Sequence, residues 1–313
     1  MGKQQSIWRL PVLWKLLKAS FKRLQSNDPL RMAGATAFFT SFALPPIILL
    51  LFQLFSIFFS RKLVGTELGE VLSDTLGKEG SDQLRSTARG FRNLAQNWYM
   101  AALGLVFLVF VATTLFKVIR NTLNDIWNIR PVQDGFMYDL KVRGKSLAII
   151  FAAAILFLAS GLLDVIWVIA GRNIGKVWPK GTVFFTGALN EIAGVVIVTL
   201  WFIVVFRFLA NARPSWRAAA VGGLLTGILF TIGKTILSTL MSHSNAGAVY
   251  GAGAAIVLIL LFVFYSSFIL YFGASFIKEY SSLINDPIVP SHKAYHFKLQ
   301  KIANEEKDDA ENE

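Results

Sequence analysis

The chain contains a Gly-Lys-Thr triplet at residues 233–235, inside the apolar stretch GLLTGILFTIGKTILSTL. A phosphate-binding P-loop needs four residues between its first glycine and Gly-Lys, so that backbone N–H groups can surround the phosphates. Here the five residues ILFTI separate Gly227 from Gly233. The stretch is also a continuous apolar helix pattern with no strand before it. We therefore expect no nucleotide at Lys234.

Lys234 instead stands in an apolar segment, as Glu191 and Asp164 do in two others. An ionisable residue within a membrane helix costs roughly 2.5–3.5 kcal/mol on insertion scales, and it normally faces the bundle interior with a partner. Counted from the predicted outer ends of their segments, the three residues lie at a similar depth of roughly 10 to 13 Å, and Asn190 is close to that level. The sequence predicts that they form one cluster.

Three interpretations of this cluster remain open. The charges tie three helices together, although desolvation offsets much of the attraction in a buried pair. Alternatively, they line a polar cavity that opens to the outer side and binds an anionic group or relays protons. In the third interpretation, Lys234 alone extends to the outer interface.

A second polar cluster occurs in RNTLNDIWN, at residues 120–128. Its spacing of i, i+3, i+4 and i+7 predicts one face of a helix. The four residues are Asn121, Asn124, Asp125 and Asn128. The face either caps the inner side of the bundle through amide hydrogen bonds or forms the inner gate of a pathway. In both cases we expect Trp127 to be an anchor at the membrane interface.

Proline and glycine residues predict two special features of the helices. Pro45 and Pro46 remove backbone donors near the middle of an apolar segment and should kink the helix there. The kink is either a hinge or only a bend in a packing element. The GxxxG spacing of Gly223 and Gly227 predicts a close helix–helix approach.

Residues suited to catalysis are sparse. Metal-assisted phosphodiester cleavage needs clustered His, Asp or Glu ligands, but the 3 His residues form no His-x-His or His-Glu-x-x-His spacing. The chain has 0 Cys and no Ser in a Gly-x-Ser-x-Gly turn, which is the setting of many serine nucleophiles. We expect no catalytic residues, no metal and no cofactor, and we predict that the protein is not an enzyme.

The composition indicates what must position these residues. Hydrophobic residues make up 54% of the 313-residue chain and charged residues 16%, with a mean hydropathy of +0.54. This balance is typical of an integral membrane protein. Since a span needs roughly 20 apolar residues, we predict an all-α bundle of six transmembrane helices. The spans cover about residues 32–59, 98–119, 146–170, 182–210, 218–241 and 250–277.

Lys and Arg are concentrated in the segments that would be cytoplasmic if the N-terminus is inside. The positive-inside rule therefore predicts that both termini are cytoplasmic. The net charge of +12 then lies along the inner leaflet, where anionic lipid is a sufficient partner. Nucleic acid is not required as a partner.

Three segments lie outside the predicted spans. Residues 1–30 predict a cytoplasmic amphipathic helix in the membrane interface, with an apolar stripe along one side. That stripe comprises Trp14, Leu17, Phe21 and Leu24. The alternative is a soluble helix packed on the bundle. Residues 61–97 predict an outer helical hairpin, and residues 281–313 predict a cytoplasmic and largely disordered tail.

Four stretches carry a family resemblance by their order and spacing. They are MAGATAFFTSFALPPIILL, NTLNDIWNIRP, ARPSWRAAAVGGLLTGILFTIGKTILS and VYGAGAAIVLILLFVFYSSFILYFGASFIKEY. Together they resemble the YihY/BrkB family of six-span bacterial inner-membrane proteins, over roughly residues 10–280. The resemblance implies a location in the bacterial inner membrane. Family members are described as transporters or virulence factors, and some have carried a ribonuclease BN label.

Two functions remain open at this point. The first is a transporter or translocator of an amphipathic anion or lipid, which is not driven by ATP because the chain has no ATP-binding element. The second is a non-transporting membrane scaffold or envelope-assembly factor. The substrate, any coupling ion and the oligomeric state do not follow from the sequence.

Overall fold

The structure is a computed structural model that describes residues 10–58, 98–132, 179–243, 254–291 and 294–297, with isolated helical residues at 73, 81–82, 85–86 and 89. The described chain forms six long α-helices. They are α1 (Leu10–Gln25), α2 (Pro29–Phe58), α3 (Trp98–Ile126), α4 (Pro179–Phe208), α5 (Trp216–His243) and α6 (Ala254–Leu283).

The predicted all-α class is confirmed, and five of the six predicted spans coincide with α2 to α6. The span predicted at 146–170 lies outside the described residues. Within the described chain, three stretches are long and apolar enough to cross a membrane: Glu191–Phe208, Trp216–Leu240 and Ile256–Leu283. Six crossings and the cytoplasmic position of both termini stay predictions.

Helix α6 is the centre of the described bundle. It contacts α1, α2, α3 and α5, and α4 packs along α5. The four largest fully buried side chains of the described chain are Trp127, which follows α3, Phe206 of α4, and Tyr271 and Phe276 of α6. Trp127, Phe206 and Phe276 lie at or near the C-terminal ends of these helices, and the main apolar core includes that end of the bundle.

Two short antiparallel strand pairs close this end of the bundle. Strand β1 (Ile129–Pro131) pairs with β4 (Ala294–His296), and β2 (Ala212–Arg213) pairs with β3 (Val289–Pro290). The segment after α6 therefore ties the chain that follows α3 to the chain that follows α4. We call this region the junction, and it comprises residues 124–132, 209–215, 284–291 and 294–297.

The junction corrects part of one prediction. Residues 281–291 and 294–297 were expected to belong to a largely disordered tail, but they form the end of α6 and strands β3 and β4. Their backbone groups bond to distant loops, as when Ser291 N–H donates to the Asn211 carbonyl at 2.9 Å. Residues 298–313 lie outside the described residues.

Three helices are followed, two or three residues after their last residue, by a residue with a left-handed backbone. Asp28, Asn128 and Asn285 have φ angles of 51°, 57° and 53°, and they follow α1, α3 and α6. Asp and Asn tolerate this conformation better than most residues, because their short polar side chains can hydrogen-bond locally. These residues therefore turn the chain sharply at the helix ends.

Helix α1 packs on the bundle, and the apolar stripe predicted for it is divided between two faces. Leu24 and Leu16 are buried on the side that contacts α6. Trp14 and Phe21 are 71% and 45% exposed. Arg23 forms an ion pair with Glu279 of α6, so α1 is attached to the bundle through one face. Contact of its other face with the membrane interface stays a prediction.

Two other expectations concern segments that are described only in part. Helix α2 continues as one α-helix through Pro45 and Pro46, and their role as a hinge stays a prediction. The outer hairpin expected at 61–97 falls mostly outside the described residues.

Close packing of α4 on α5 occurs at the GxxxG pair, as predicted. A Cβ atom added to Gly227 would lie 3.2 Å from the Thr199 backbone, and one added to Gly223 would lie 2.5 Å from the Ile203 side chain. A larger residue at either position would have to displace these atoms of α4. The missing side chains thus permit the approach.

We expect Gly222→Ala to lower the free energy of unfolding by about 1–3 kcal/mol, the usual effect of overpacking a core. An added Cβ would lie 2.1 Å from Cγ1 of Ile277, which is itself fully buried. The matched control is Gly34→Ala, since nothing lies within 4 Å of a Cβ there. Thermal unfolding in mild detergent would measure both variants, and equal midpoints would contradict the prediction.

Candidate functional site

A cavity of about 310 Å³ lies between α4 and α5. It contains both ionisable residues that the sequence singled out in these helices, so we call it the Glu191–Lys234 cavity. Helix α4 contributes Glu191, Gly194, Val195 and Val198, and α5 contributes Phe230, Thr231, Lys234, Thr235, Ser238 and Thr239.

The antiparallel arrangement of α4 and α5 explains why these two residues meet. A turn of a few residues joins the helices, and Glu191 and Lys234 are almost equally far from it along the chain. Gly227 of α5 approaches Thr199 of α4 in the same way. This pair lies about two helical turns closer to the connection between the helices than Glu191 and Lys234 do. Because each residue advances a helix by 1.5 Å, residues equidistant from the turn reach the same level.

The two charges share the cavity but do not form an ion pair within the part of the chain that the structure describes. The Glu191 residue is exposed, and Lys234 is half-buried. The hydroxyl of Thr235 donates to the Thr231 carbonyl at 3.1 Å, as polar residues in apolar helices commonly do. Both charges are therefore available to a ligand in the cavity.

The cavity lies beside apolar surface. Large aliphatic side chains of both helices are exposed along their length, which suits contact with lipid acyl chains. On α4 they are Ile192, Val196 and Leu200, and on α5 they are Ile228, Ile232, Ile236 and Leu240. A polar opening with these neighbours can hold a charged group while apolar chains lie outside it.

The structure places the predicted site residues as follows. Lys234 and Glu191 line one cavity. Asn190 lies in α4 beside Glu191, but its side chain is outside the described residues, as is all of Asp164. Sequence reasoning did not include Thr231 among the site residues, although its i, i+4 spacing with Thr235 places both on the Lys234 side of the helix.

The four polar residues at the end of α3 do not share one helical face. Asn124 is buried, and its Oδ1 accepts a hydrogen bond from the Asn211 N–H at 2.9 Å. Asn121 is exposed, and Asn128 lies beyond the helix end with its left-handed backbone. The prediction that all four residues share one helical face is wrong for Asn128, because the helix ends at Ile126.

These contacts give Asn124 the capping role that one interpretation assigned to the cluster. Its side chain bonds the chain that follows α4, and the Asn128 carbonyl accepts from Phe297 N–H at 3.1 Å. Both therefore hold the junction together. An inner gate formed by Asn121, Asn124, Asp125 and Asn128 stays a prediction.

Trp127 is not an interfacial anchor, which corrects the prediction. It is 0% exposed, and its indole N–H donates to the Ala274 carbonyl of α6 at 2.9 Å. Lys278 in turn donates to the Trp127 carbonyl at 3.2 Å. The reversal of the chain at Asn128 places the indole against α6 rather than against lipid.

Asp125 forms an ion pair with Arg130, at 2.8 Å between Oδ1 and Nη1. The same Oδ1 accepts no well-aligned hydrogen bond, so the contact is mainly electrostatic. Burial raises the pKa of Asp125 above its ordinary value, and the charges of Arg130 and Arg31 lower it by less. The net effect favours the protonated carboxyl in the folded protein.

Asp125→Asn should therefore be at least as stable as the wild type at pH 7. A folded pKa above the unfolded one gives stability that is present below about pH 4 and is lost as the pH rises through the folded pKa. The two proteins should thus converge at pH 4 and separate toward pH 7. Thermal midpoints at both values would test this, and a marked loss at pH 7 would show that the Arg130 pair outweighs burial.

Metal-binding side chains do not cluster in the described residues, where no group of three His, Cys, Asp or Glu could hold an ion. The site therefore has to be interpreted from Glu191, Lys234 and the hydroxyl groups of α5. What the described part of the cavity offers is one cation, one anion and hydrogen-bonding groups beside apolar surface.

Comparison with known proteins places these features in a family. The family described as Virulence factor BrkB matches residues 20–294. UPF0761 membrane proteins of Mannheimia succiniciproducens and Aggregatibacter aphrophilus are each 27% identical, over 83% and 80% of this chain and 88% and 86% of their own. The UPF0761 membrane protein of Haemophilus influenzae is 26% identical, over 81% of this chain and 90% of its own. No solved structure matches. The match across nearly all of the described helices, together with these relatives, shows that the chain belongs to the BrkB family of membrane proteins.

Proposed function

We propose that this protein translocates an amphipathic anion, of the lipid or lipid-linked class, across the membrane without ATP. The main support for this proposal is the Glu191–Lys234 cavity. In this cavity an intramembrane lysine forms no ion pair with the carboxylate that shares the lining. Lys234 supplies the charge that an anionic headgroup needs, and the apolar surfaces of α4 and α5 suit its acyl chains.

The free-energy cost of placing a lysine inside the membrane supports a ligand at this position. A lysine in the middle of an apolar helix is expensive unless it meets a partner or water. The described residues provide neither a direct ion pair nor a hydrogen bond to Lys234, so a site that receives an anion intermittently accounts for it. A headgroup that moves along α4 and α5 would exchange membrane-surface water for Lys234 and the hydroxyl group of Ser238.

The proposed function also specifies where the protein acts and what it does to its substrate. The protein acts in the bacterial inner membrane with both termini in the cytoplasm, and anionic lipid lies against its basic cytoplasmic face. It moves its substrate without chemical change, so it is not an enzyme. A scaffold would need no open charged cavity, and for this reason transport is preferred over that alternative.

Reconstituted vesicles provide the test. Phosphatidylglycerol labelled on an acyl chain is placed in both leaflets, and dithionite quenching reports how fast the inner pool reaches the outer leaflet. A parallel assay follows small anions such as phosphate. We expect lipid movement faster than in protein-free vesicles and unchanged by ATP. If neither lipid nor small anions cross faster than in protein-free vesicles, the transport proposal is wrong and the scaffold takes its place.

A further inference from the structure

The Glu191–Lys234 cavity contains one side chain of each charge, on opposite helices. Glu191 belongs to α4 and Lys234 to α5, and within the described residues the two are not joined by an ion pair. A ligand with only a negative charge would satisfy Lys234 and be repelled by Glu191. A ligand that carries one positive and one negative charge a short distance apart would match both side chains.

We propose that the cavity recognises a zwitterionic phospholipid headgroup whose cation is a primary ammonium. The inference rests on the proposed translocation, and it replaces a purely anionic headgroup with one whose phosphate is accompanied by an ammonium group. The phosphate lies at Lys234, and the ammonium lies at Glu191.

The α5 side of the cavity suits the phosphate. Ser238 lies one helical turn beyond Lys234 on the same lining, and phosphate oxygens accept hydrogen bonds from ammonium and hydroxyl groups. The Ser238 hydroxyl makes no hydrogen bond within the described part of the chain. It is therefore free to donate to a phosphate oxygen.

The α4 side suits an ammonium that still carries protons. The carboxylate of Glu191 accepts charge-assisted hydrogen bonds, which need N–H donors. A quaternary ammonium has none and is usually held by a cage of aromatic rings, whereas Phe230 is the only aromatic residue in the cavity lining that the structure describes. The lining thus favours an ethanolamine-type headgroup over a choline-type one.

The test compares three acyl-chain-labelled lipids in vesicles of the same composition: phosphatidylethanolamine, phosphatidylglycerol and phosphatidylcholine. We expect wild-type protein to move phosphatidylethanolamine roughly ten-fold faster than the other two, the order expected for one charged hydrogen bond. Glu191→Gln should slow phosphatidylethanolamine to the rate of phosphatidylglycerol. The rate of phosphatidylglycerol itself should stay unchanged or rise. Asp28→Asn is the matched control, since it removes an exposed carboxylate at a position that asparagine tolerates.

A binding measurement separates this inference from the proposed function. Native mass spectrometry in detergent would count bound phosphatidylethanolamine and phosphatidylglycerol for the wild type and for Glu191→Gln, after both have shown the same thermal midpoint. If Glu191→Gln does not fold, Glu191→Asp replaces it and should retain part of the preference. A Glu191-dependent preference in binding without any lipid movement would support the headgroup inference and overturn translocation. Lipid movement with equal rates and equal binding for the three lipids would overturn the headgroup inference and leave translocation standing.

Discussion

Replacing Trp127 with alanine should lower the free energy of unfolding by about 3–5 kcal/mol, the range for deleting a large aromatic side chain from a core. The indole is fully buried, and it bonds the Ala274 carbonyl of α6. Its loss would leave a cavity and remove the side-chain hydrogen bond that joins the junction to α6. Thermal unfolding in mild detergent, read as the midpoint shift, measures the effect.

Two further variants make this result specific. Trp14→Ala removes the same side chain from an exposed position, 71% accessible on α1, and should change the free energy of unfolding by no more than about 0.5 kcal/mol. Trp127→Phe retains most of the ring but cannot bond Ala274, so it should fall between the wild type and the alanine variant. Equal midpoints for Trp127→Ala and Trp14→Ala would show that the buried indole does not support the fold.

Lys234→Ala should slow lipid movement in vesicles by at least about ten-fold, the order of one charged hydrogen bond to the substrate. The variant loses the only cation in the described lining of the Glu191–Lys234 cavity. Removing a charge from an apolar helix does not hinder insertion, so the protein should still fold. Lys117→Ala, which removes an exposed lysine of α3, is the matched control.

Exchanging the two charges tests whether they act together. Glu191→Lys combined with Lys234→Glu keeps one cation and one anion in the cavity but reverses their positions, and it should partly restore movement relative to either single change. Since the two side chains do not form an ion pair in the structure, such rescue would report a shared ligand rather than a repaired salt bridge. Normal insertion and wild-type rates for both Lys234→Ala and Glu191→Ala would show that the cavity is not the site.

The sequence was sufficient to locate most helices. Their apolar length is a local property, and it predicted α2 to α6 to within a few residues at most ends. It underestimated α3, which continues to Ile126, and α6, which continues to Leu283. These last turns are polar or mixed in composition, so an apolar window stops before the hydrogen-bonded helix does.

The junction could not be predicted in the same way. Its strands have two or three residues each, too few to show an alternating pattern. They are stable only because β4 meets β1, and β3 meets β2, from far along the chain. The burial of Trp127 has the same origin, since a tryptophan after an apolar helix is ordinarily assigned to the membrane interface.

For the candidate site, the sequence is enough to place Lys234 and Glu191 at one level, because the helix rise and the short connection between the helices set their depth. What lies between the two side chains depends on how the helices pack. The glycines of α5 bring α4 close near Thr199, and the cavity begins farther from the turn, where the lining includes Val198 and Phe230. The space between two helices depends on which side chains meet across them, and this pairing becomes known only when the helices are packed.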